Sequence, residues 1–317
     1  MNILMIAEND PAGTAILFAK AINRLTKHTC RLITQQIRYN HMWEKDLFVP
    51  WLNEKDWDEV EHLLKRSDLF HFHMTVDENV ALGPFTPKDY LKGKIVVHHH
   101  HGHHDFRGNP EKYRAKYKEL RRKALLVSTP DLLHLLPEAN WQPNLVPISE
   151  PLYLPEPEKP ETPVTIAHSP TRKDLKNTDE LLLVMDELSG HEPKIELELL
   201  DNVEHTECLA RKRRCHAVFD HMQGYYGVSS LEGLSQGMPV IAGLNEWCRD
   251  HMAEFSGTQK LPWVAARNKP ELKSAIAALA KDLEQRKEIG LRSREFMEEH
   301  WNEEKVAQRL ISFYEAL

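Results

Sequence analysis

The stretch from Gly224 to Ala242, GYYGVSSLEGLSQGMPVIA, indicates how this chain folds. A loop punctuated by glycines precedes a short helical pattern, a glycine stop and an apolar run from Pro239 to Ala242 that is typical of a buried strand. In an α/β sheet such a loop presents the N–H groups and the positive dipole end of the helix where phosphate binds. The pattern therefore predicts an α/β fold with a site for a nucleotide or a nucleotide-linked sugar.

Glu232 lies one turn inside the helical pattern and has two interpretations. Its carboxylate is placed to accept hydrogen bonds from two neighbouring hydroxyls, such as those of a ribose. Ser229 and Glu232 also match an S-x-x-E capping box, which needs no ligand. Either role satisfies the same helix end, so both interpretations stay open at this point.

The first half of the chain alternates short apolar runs with helical patterns. The runs predicted as buried parallel strands are Ile3 to Ala7, Leu69 to Met74, Ile95 to His99 and Leu125 to Ser128. An amphipathic helix is predicted to begin near Thr14. This alternation predicts a doubly wound parallel sheet.

Five prolines lie between Pro151 and Pro163, which excludes a helix or a central strand there. The β–α alternation then resumes, so we expect an N-terminal Rossmann-like domain over 1–152, a linker over 153–162 and a second domain over 163–302. The amphipathic segment 303–317 is expected to be a helix that packs back on the first domain.

Composition restricts the classes of function. The 317 residues are 41% hydrophobic and 28% charged, and the formal net charge of −7 argues against general nucleic-acid binding. No apolar run reaches the roughly 20 residues of a membrane span, and the start of the chain lacks a signal-peptide pattern. The four cysteines are too sparse for a disulfide framework. We therefore expect a cytoplasmic protein.

The 224–242 stretch and three further stretches, 101–108, 128–144 and 168–179, occur in an order that resembles family 4 glycosyltransferases, in particular bacterial members with a GWYG-type loop. The resemblance implies a GT-B fold, with two Rossmann-like domains facing a cleft. It also implies a hexosyltransferase-like enzyme that moves a sugar from a nucleoside diphosphate donor to a glycan, lipid-linked or small hydroxyl acceptor. Retention of anomeric configuration and the absence of a metal or other cofactor are further implications. The alternative is a nucleotide-sugar-binding protein without transferase activity.

The resemblance also implies roles for individual residues. Arg172 and Lys176 match the cations that hold the donor diphosphate, and a fork plus a point charge suits a leaving diphosphate. The remaining donor-side residues are Gly13, Asp220, Tyr226, Gly227, Val228, Ser229 and Glu232. The family usually has glycine where this chain has Asn177, a residue that also tolerates the left-handed conformation.

Histidines are abundant, with 19 in the chain and six between His98 and His104. Adjacent residues of a strand point to opposite faces, so consecutive histidines cannot all converge on one metal ion, and no metal ligands are predicted. His101, just before Gly102, matches the family histidine near the donor sugar. His101 is therefore the candidate catalytic residue.

Two features depart from this picture or lie outside it. Family members commonly carry a glutamate eight positions before Glu232, where this chain has Gly224, and Asp220 is the nearest carboxylate.

The predicted helix over 111–123 is strongly basic. It is interpreted either as a solvated face or as a peripheral contact with anionic lipid at the inner face of the membrane.

Overall fold

The computed structural model describes residues 1–317, which form two compact units. One unit comprises Met1–Leu145 with Glu303–Leu317, and the other comprises Val146–Asn302. Each unit has one parallel sheet with helices around it, which confirms the predicted α/β class.

Residues 1–145 contain seven strands and four α-helices: β1 (Asn2–Ala7), α1 (Thr14–Leu25), β2 (Thr29–Thr34), β3 (Leu47–Phe48), α2 (Glu54–Arg66), β4 (Leu69–His73), β5 (Ile95–His100), α3 (His104–Gly108), α4 (Pro110–Glu119), β6 (Ala124–Val127) and β7 (Asn140–Trp141). Residues 146–302 contain five strands and six α-helices: β8 (Val164–His168), α5 (Thr178–Glu187), β9 (Ile195–Leu199), α6 (His205–Arg213), β10 (Ala217–Phe219), α7 (Val228–Ser235), β11 (Val240–Ala242), α8 (Glu246–Ser256), β12 (Val264–Ala265), α9 (Lys269–Lys281) and α10 (Leu283–His300). The last helix is α11 (Glu303–Glu315).

The first sheet has the strand order β3-β2-β1-β4-β5-β6-β7, and all of its strands are parallel. The strands β1, β4, β5 and β6 were predicted from sequence, whereas β2 and the two edge strands, β3 and β7, were not. Phe70 and Phe72 of β4 pack with Val60 and Leu64 of α2 in one core cluster. This burial on both faces explains why the central strands read as uninterrupted apolar runs.

Helix α11 packs within the first unit. Its buried face includes Val306, Leu310 and Tyr314, and the helix lies against α1. Gln142 donates a hydrogen bond to the Val306 carbonyl at 3.1 Å. Because the Gln142 side chain is buried, this bond satisfies a polar group that water does not reach. The C-terminal segment thus completes the core of the unit in which the chain begins.

The second sheet has the strand order β12-β11-β10-β8-β9. The apolar residues of β8 and β10 pack with α5 and α9 in a second core. The boundary between the units falls between Leu145 and Val146, so the proline-rich stretch expected to be a linker lies within the second unit. There Lys159 donates to the Cys215 carbonyl at 2.6 Å and a ring nitrogen of His216 contacts the Pro160 carbonyl at 2.7 Å.

No helix combines the length and the apolar composition that a membrane span requires. All four cysteines are buried free thiols.

Candidate active site

The second sheet has a topological switch point between β8 and β10. From β8 the chain crosses to β9 on one side, whereas from β10 it crosses to β11 on the other side. The loops that leave the carboxyl ends of β8 and β10 therefore diverge and leave a crevice, which is where open α/β sheets bind ligands. The loop after β8 carries Arg172 and Lys176, and the loop after β10 contains the residues from Asp220 to Gly227.

Asp220 joins the two loops at the switch point. Its carboxylate accepts a hydrogen bond from the Lys176 ammonium group at 2.7 Å, from the Gly227 amide at 2.5 Å and from the Ser230 hydroxyl at 2.7 Å. Burial raises the pKa of Asp220, but the neighbouring His221, Lys176 and Gly227 outweigh burial and hold the pKa well below its usual range. Asp220 is therefore a carboxylate that fixes Lys176 beside α7.

Gly227 is the N-cap of α7, and it allows Lys176 to approach the helix end. A β-carbon at residue 227 would lie 2.7 Å from the Lys176 ammonium nitrogen and 3.1 Å from an Asp220 oxygen. The backbone N–H groups of Val228 and Ser229 belong to the first helical turn and have no intrahelical partner. A lysine charge and a helix N-terminus thus meet at the switch point, an arrangement that attracts phosphate.

Arg172 lies apart from this group. Its side chain is about half exposed and pairs with Asp174 at 2.5 Å. The structure therefore does not bring it onto the Lys176–Asp220 pair. An exposed ion pair contributes little to stability, so the Arg172 side chain is free to exchange Asp174 for a ligand at small cost.

Asn177 occupies the left-handed region with a φ of 54°, as its place in the sequence predicted. Its side-chain oxygen accepts hydrogen bonds from the Met222 amide at 2.8 Å and from Gln223 at 3.1 Å, which ties the two loops together. Thr178 is the first residue of α5, and its hydroxyl contacts His168 at 2.8 Å.

The capping-box interpretation of Glu232 is wrong. Helix α7 is capped by Gly227, so Ser229 and Glu232 both lie inside the helix and make no cap. The Glu232 carboxylate is only 4% exposed, and it pairs with Lys212 at 2.5 Å and with His205 at 2.8 Å. Burial raises the pKa of Glu232, but Lys212 and His205 outweigh burial and lower the pKa to about 2.

Lys212 is a residue that the sequence did not single out as functional. It lies in the basic run Arg211 to Arg214, yet its side chain is fully buried. Lys212 also donates to the Ser229 hydroxyl at 2.9 Å, and Ser229 contacts the Ser169 hydroxyl at 2.9 Å. The apolar periodicity of α6 is weak, so no sequence signal marked this lysine as buried.

Tyr226 does not present its ring to the crevice. The side chain is fully buried, and its ring lies 5.7 Å from that of Trp301 and 6.1 Å from that of Trp263. Its structural role is to anchor the loop that precedes α7. The expectation that the Tyr226 side chain contacts the donor is therefore not supported by its position.

Gly13 of the first unit occupies the left-handed region with a φ of 69° and caps α1. The Asp10 carboxylate accepts from the amides of Ala15 at 3.1 Å and Ile16 at 2.9 Å. The Trp43 ring packs directly over the Gly13 α-carbon. Asp10 and Trp43 thus pack around this turn, and the donor-side role of Gly13 stays a prediction.

His101 follows β5, and strand alternation sorts the histidines around it. His98 and His100 face α4, where His100 contacts the Tyr117 hydroxyl at 2.7 Å. His99 and His101 point to the other face, where their rings meet those of His71 and His73 on β4. Burial lowers the pKa of His101 to about 3, so its imidazole is neutral at pH 7.

The basic helix α4 has much of its charge paired with carboxylates. Lys116 and Arg122, the latter just beyond the helix, pair with Asp77 and Glu78, and Lys112 pairs with Asp105 at 3.0 Å. Arg114 pairs with Glu111 and Glu138. These pairs favour the interpretation as a solvated, ion-paired face over attraction to anionic lipid.

No protein-family model matches the chain, and a search of curated proteins found no match. Solved structures do resemble it. Sucrose-phosphate synthase from Thermosynechococcus elongatus superposes with a TM-score of 0.67 at 12% identity, over 100% of this chain and 98% of that one. Anabaena HepE, solved with UDP and glucose, gives 0.66 at 12% identity over 100% of both chains.

An enzyme of another class has a similar structure. The UDP-GlcNAc 2-epimerase from Neisseria meningitidis, bound to UDP-GlcNAc, superposes with a TM-score of 0.54 at 11% identity over 100% of both chains. At these identities the similarity establishes a fold and leaves the reaction open. The chain adopts the GT-B fold, built from two Rossmann-like α/β units in one polypeptide.

Proposed function

We propose that this protein transfers a sugar from a nucleoside diphosphate sugar to a hydroxyl acceptor. The observation that carries the proposal is the position of the Lys176 ammonium group beside the N-terminus of α7, at the switch point of the second sheet. A diphosphate seated there would meet a lysine charge and unpaired backbone N–H groups. Solved structures of the same fold with UDP support the choice of a nucleotide ligand.

The same groups suit the chemistry of transfer. The acceptor oxygen replaces the diphosphate at the anomeric carbon, and the net products are the glycoside, the nucleoside diphosphate and one proton. Negative charge grows on the diphosphate as its bond to the sugar breaks. Lys176 and the first turn of α7 would stabilise that charge more strongly in the transition state than in the bound donor. Arg172 would add a second cation after leaving Asp174.

Three finer features belong to the proposal through the resemblance of the sequence to family 4 glycosyltransferases. They are retention of configuration, a diphosphate held without a metal ion, and a contact between His101 and the donor sugar. The imidazole of His101 is neutral at pH 7 and the residue is partly exposed. A contact with the sugar requires the ring to turn, because Nε2 now contacts His73 and Nδ1 is buried. The Glu232 carboxylate would accept a hydrogen bond from a ribose hydroxyl while it keeps its present contacts with Lys212 and His205.

The rival function is binding of a nucleotide sugar without transfer. Gly224 supports it, because the family's usual carboxylate is missing there. Gly224 has a φ of 90°, and a β-carbon at this residue would lie 3.0 Å from the Asn245 amide nitrogen. Both functions predict binding of the same ligand class, so they differ only in turnover.

A thermal-shift screen of nucleoside diphosphates and nucleotide sugars tests the binding site. A ligand at 100 times its Kd adds about 2.7 kcal/mol of stability. We expect this gain in the wild type and its loss in Lys176→Met. Lys173→Met is the matched control, because Lys173 pairs with Asp201 on the exposed surface. If the ligand stabilises both variants equally, Lys176 does not contribute to ligand binding.

A further inference from the structure

Three histidines of the first unit form a compact buried cluster outside the donor site. His71 and His73 alternate along β4, and His99 lies opposite His73 on the neighbouring strand β5. One ring nitrogen of each lies within 4.8 Å of the others. Residues two positions apart on one strand point to the same face, and His99 on the paired strand points to that face as well. These three histidines can therefore lie around one ion, which consecutive histidines of a single strand cannot do.

Two ring nitrogens of the cluster have hydrogen-bond partners. Nδ1 of His71 contacts the Tyr314 hydroxyl, and Nδ1 of His73 lies 3.0 Å from Nε2 of His101. When each Nδ1 carries the proton, each Nε2 has a lone pair that no hydrogen bond uses. Both of these Nε2 atoms are buried and have no hydrogen-bond partner, and neither nitrogen of His99 has one.

These unpaired nitrogens require an explanation, because a buried polar atom without a partner is costly and native proteins rarely tolerate several together. The rings of His71, His73 and His99 lie close together, with ring centroids 4.2 Å apart for His71 and His73, 5.3 Å for His71 and His99 and 5.6 Å for His73 and His99. Metal-bound histidines in proteins typically donate their other N–H to a fixed partner, as Tyr314 and His101 allow here.

We propose that His71, His73 and His99 bind a zinc ion. Tetrahedral Zn–N bonds of about 2.0–2.1 Å place ligand nitrogens about 3.4 Å apart. The nitrogens now lie within 4.8 Å of one another and the rings of His71 and His73 are stacked, so binding requires the imidazoles to rotate until their in-plane lone pairs converge. Three neutral imidazoles suit zinc and other late transition metals, whereas magnesium and calcium prefer oxygen ligands. Three protein ligands leave a fourth position for water or an anion.

His101 lies between the cluster and the carboxyl edge of the sheet. The residue is partly exposed, although its free ring nitrogen Nδ1 is buried. It is a positioning residue for His73. The metal site belongs to the first unit, and its existence does not depend on the transfer reaction proposed above.

Protein expressed without a histidine tag provides the test. After exhaustive dialysis against a metal-free buffer at pH 7.5, addition of Zn²⁺ should give one bound ion per chain by plasma mass spectrometry. Co²⁺ should give the visible absorption of a tetrahedral cobalt site, and Zn²⁺ should raise the Tm by about 5 °C or more while Mg²⁺ does not.

Variants on the two faces of β5 provide matched controls. His99→Gln should abolish stoichiometric binding and the cobalt spectrum, whereas His100→Gln, one residue along on the opposite face, should retain both. Circular dichroism establishes that each variant is folded. Absence of stoichiometric Zn²⁺ or Co²⁺ binding by the wild type would overturn the proposal even if no variant folds. Equal binding by wild type and a folded His99→Gln variant would also overturn it.

Discussion

The Lys212 ammonium group contacts the Glu232 carboxylate at 2.5 Å in the interior of the second unit, and neither side chain is more than 5% exposed. This ion pair fixes α6 against α7, the helix whose N-terminus forms part of the candidate site. Removal of one partner would leave the other as an unpaired buried charge. The stability of this unit therefore depends on both residues together.

Glu232→Gln is expected to lower the free energy of unfolding by about 3 kcal/mol, because it leaves the Lys212 charge without its counterion. The double variant Lys212→Met/Glu232→Gln should recover at least half of that loss. Urea denaturation of the wild type, both single variants and the double variant measures the coupling.

The control for this cycle is the exposed pair of Lys194 and Glu196. Lys194→Met should change stability by less than about 0.5 kcal/mol. Additive effects of the two buried substitutions would contradict the assigned ion pair.

The Glu232 carboxyl should also contribute to acid denaturation. Its pKa is about 2 in the folded protein and about 4.3 in an unfolded chain, so its stabilising contribution is complete above about pH 4.5 and is lost as pH falls toward 2. The stability difference between the wild type and Lys212→Met/Glu232→Gln should stay constant from pH 5 to pH 8. It should then shift by on the order of 3 kcal/mol between pH 4.5 and 2. A difference that does not change over this acid range would refute the lowered pKa.

Gly227→Ala tests the approach of Lys176 to α7. The added β-carbon would lie 2.7 Å from the Lys176 nitrogen, so the ammonium group must move away from the helix end. We expect nucleoside diphosphate affinity to fall at least about 10-fold, the effect of about 1.4 kcal/mol of lost interaction. Isothermal titration calorimetry measures the change. Gly190→Ala is the control, since a β-carbon there meets nothing within 4 Å. If Gly227→Ala binds nucleoside diphosphate with unchanged affinity, the position of Lys176 beside α7 does not contribute to diphosphate binding.

His101→Ala should reduce kcat by about 100-fold while nucleoside diphosphate affinity stays nearly constant, because a contact made mainly in the transition state appears in kcat. His100→Ala, on the opposite face of the strand, should instead lower stability through loss of its bond to Tyr117. Steady-state kinetics and calorimetry on both variants distinguish the roles. Equal and mild effects on kcat would leave His101 without a catalytic role.

The fold was predictable from sequence because parallel strands buried on both faces leave uninterrupted apolar runs, as in β1 and β4. Lys176 and Asp220 were predicted from the resemblance to family 4 glycosyltransferases, and their roles at the donor stay predictions. Edge strands such as β3 were missed because a two-residue strand carries no periodicity. The burial of Lys212 and the contact among the histidines of β4 and β5 were not predicted, because both arise from tertiary packing, which no local pattern encodes.

The most direct test of the central claim is sugar transfer itself, followed by nuclear magnetic resonance with a panel of nucleotide sugars and mixed hydroxyl acceptors in a buffer containing EDTA. The account predicts release of nucleoside diphosphate in equal amount to new glycoside. It also predicts at least about 100-fold slower turnover in Lys176→Met than in Lys173→Met, because Lys176 would stabilise the leaving diphosphate. Tight donor binding with no glycoside formed, or conversion of the donor to its epimer, would contradict the account.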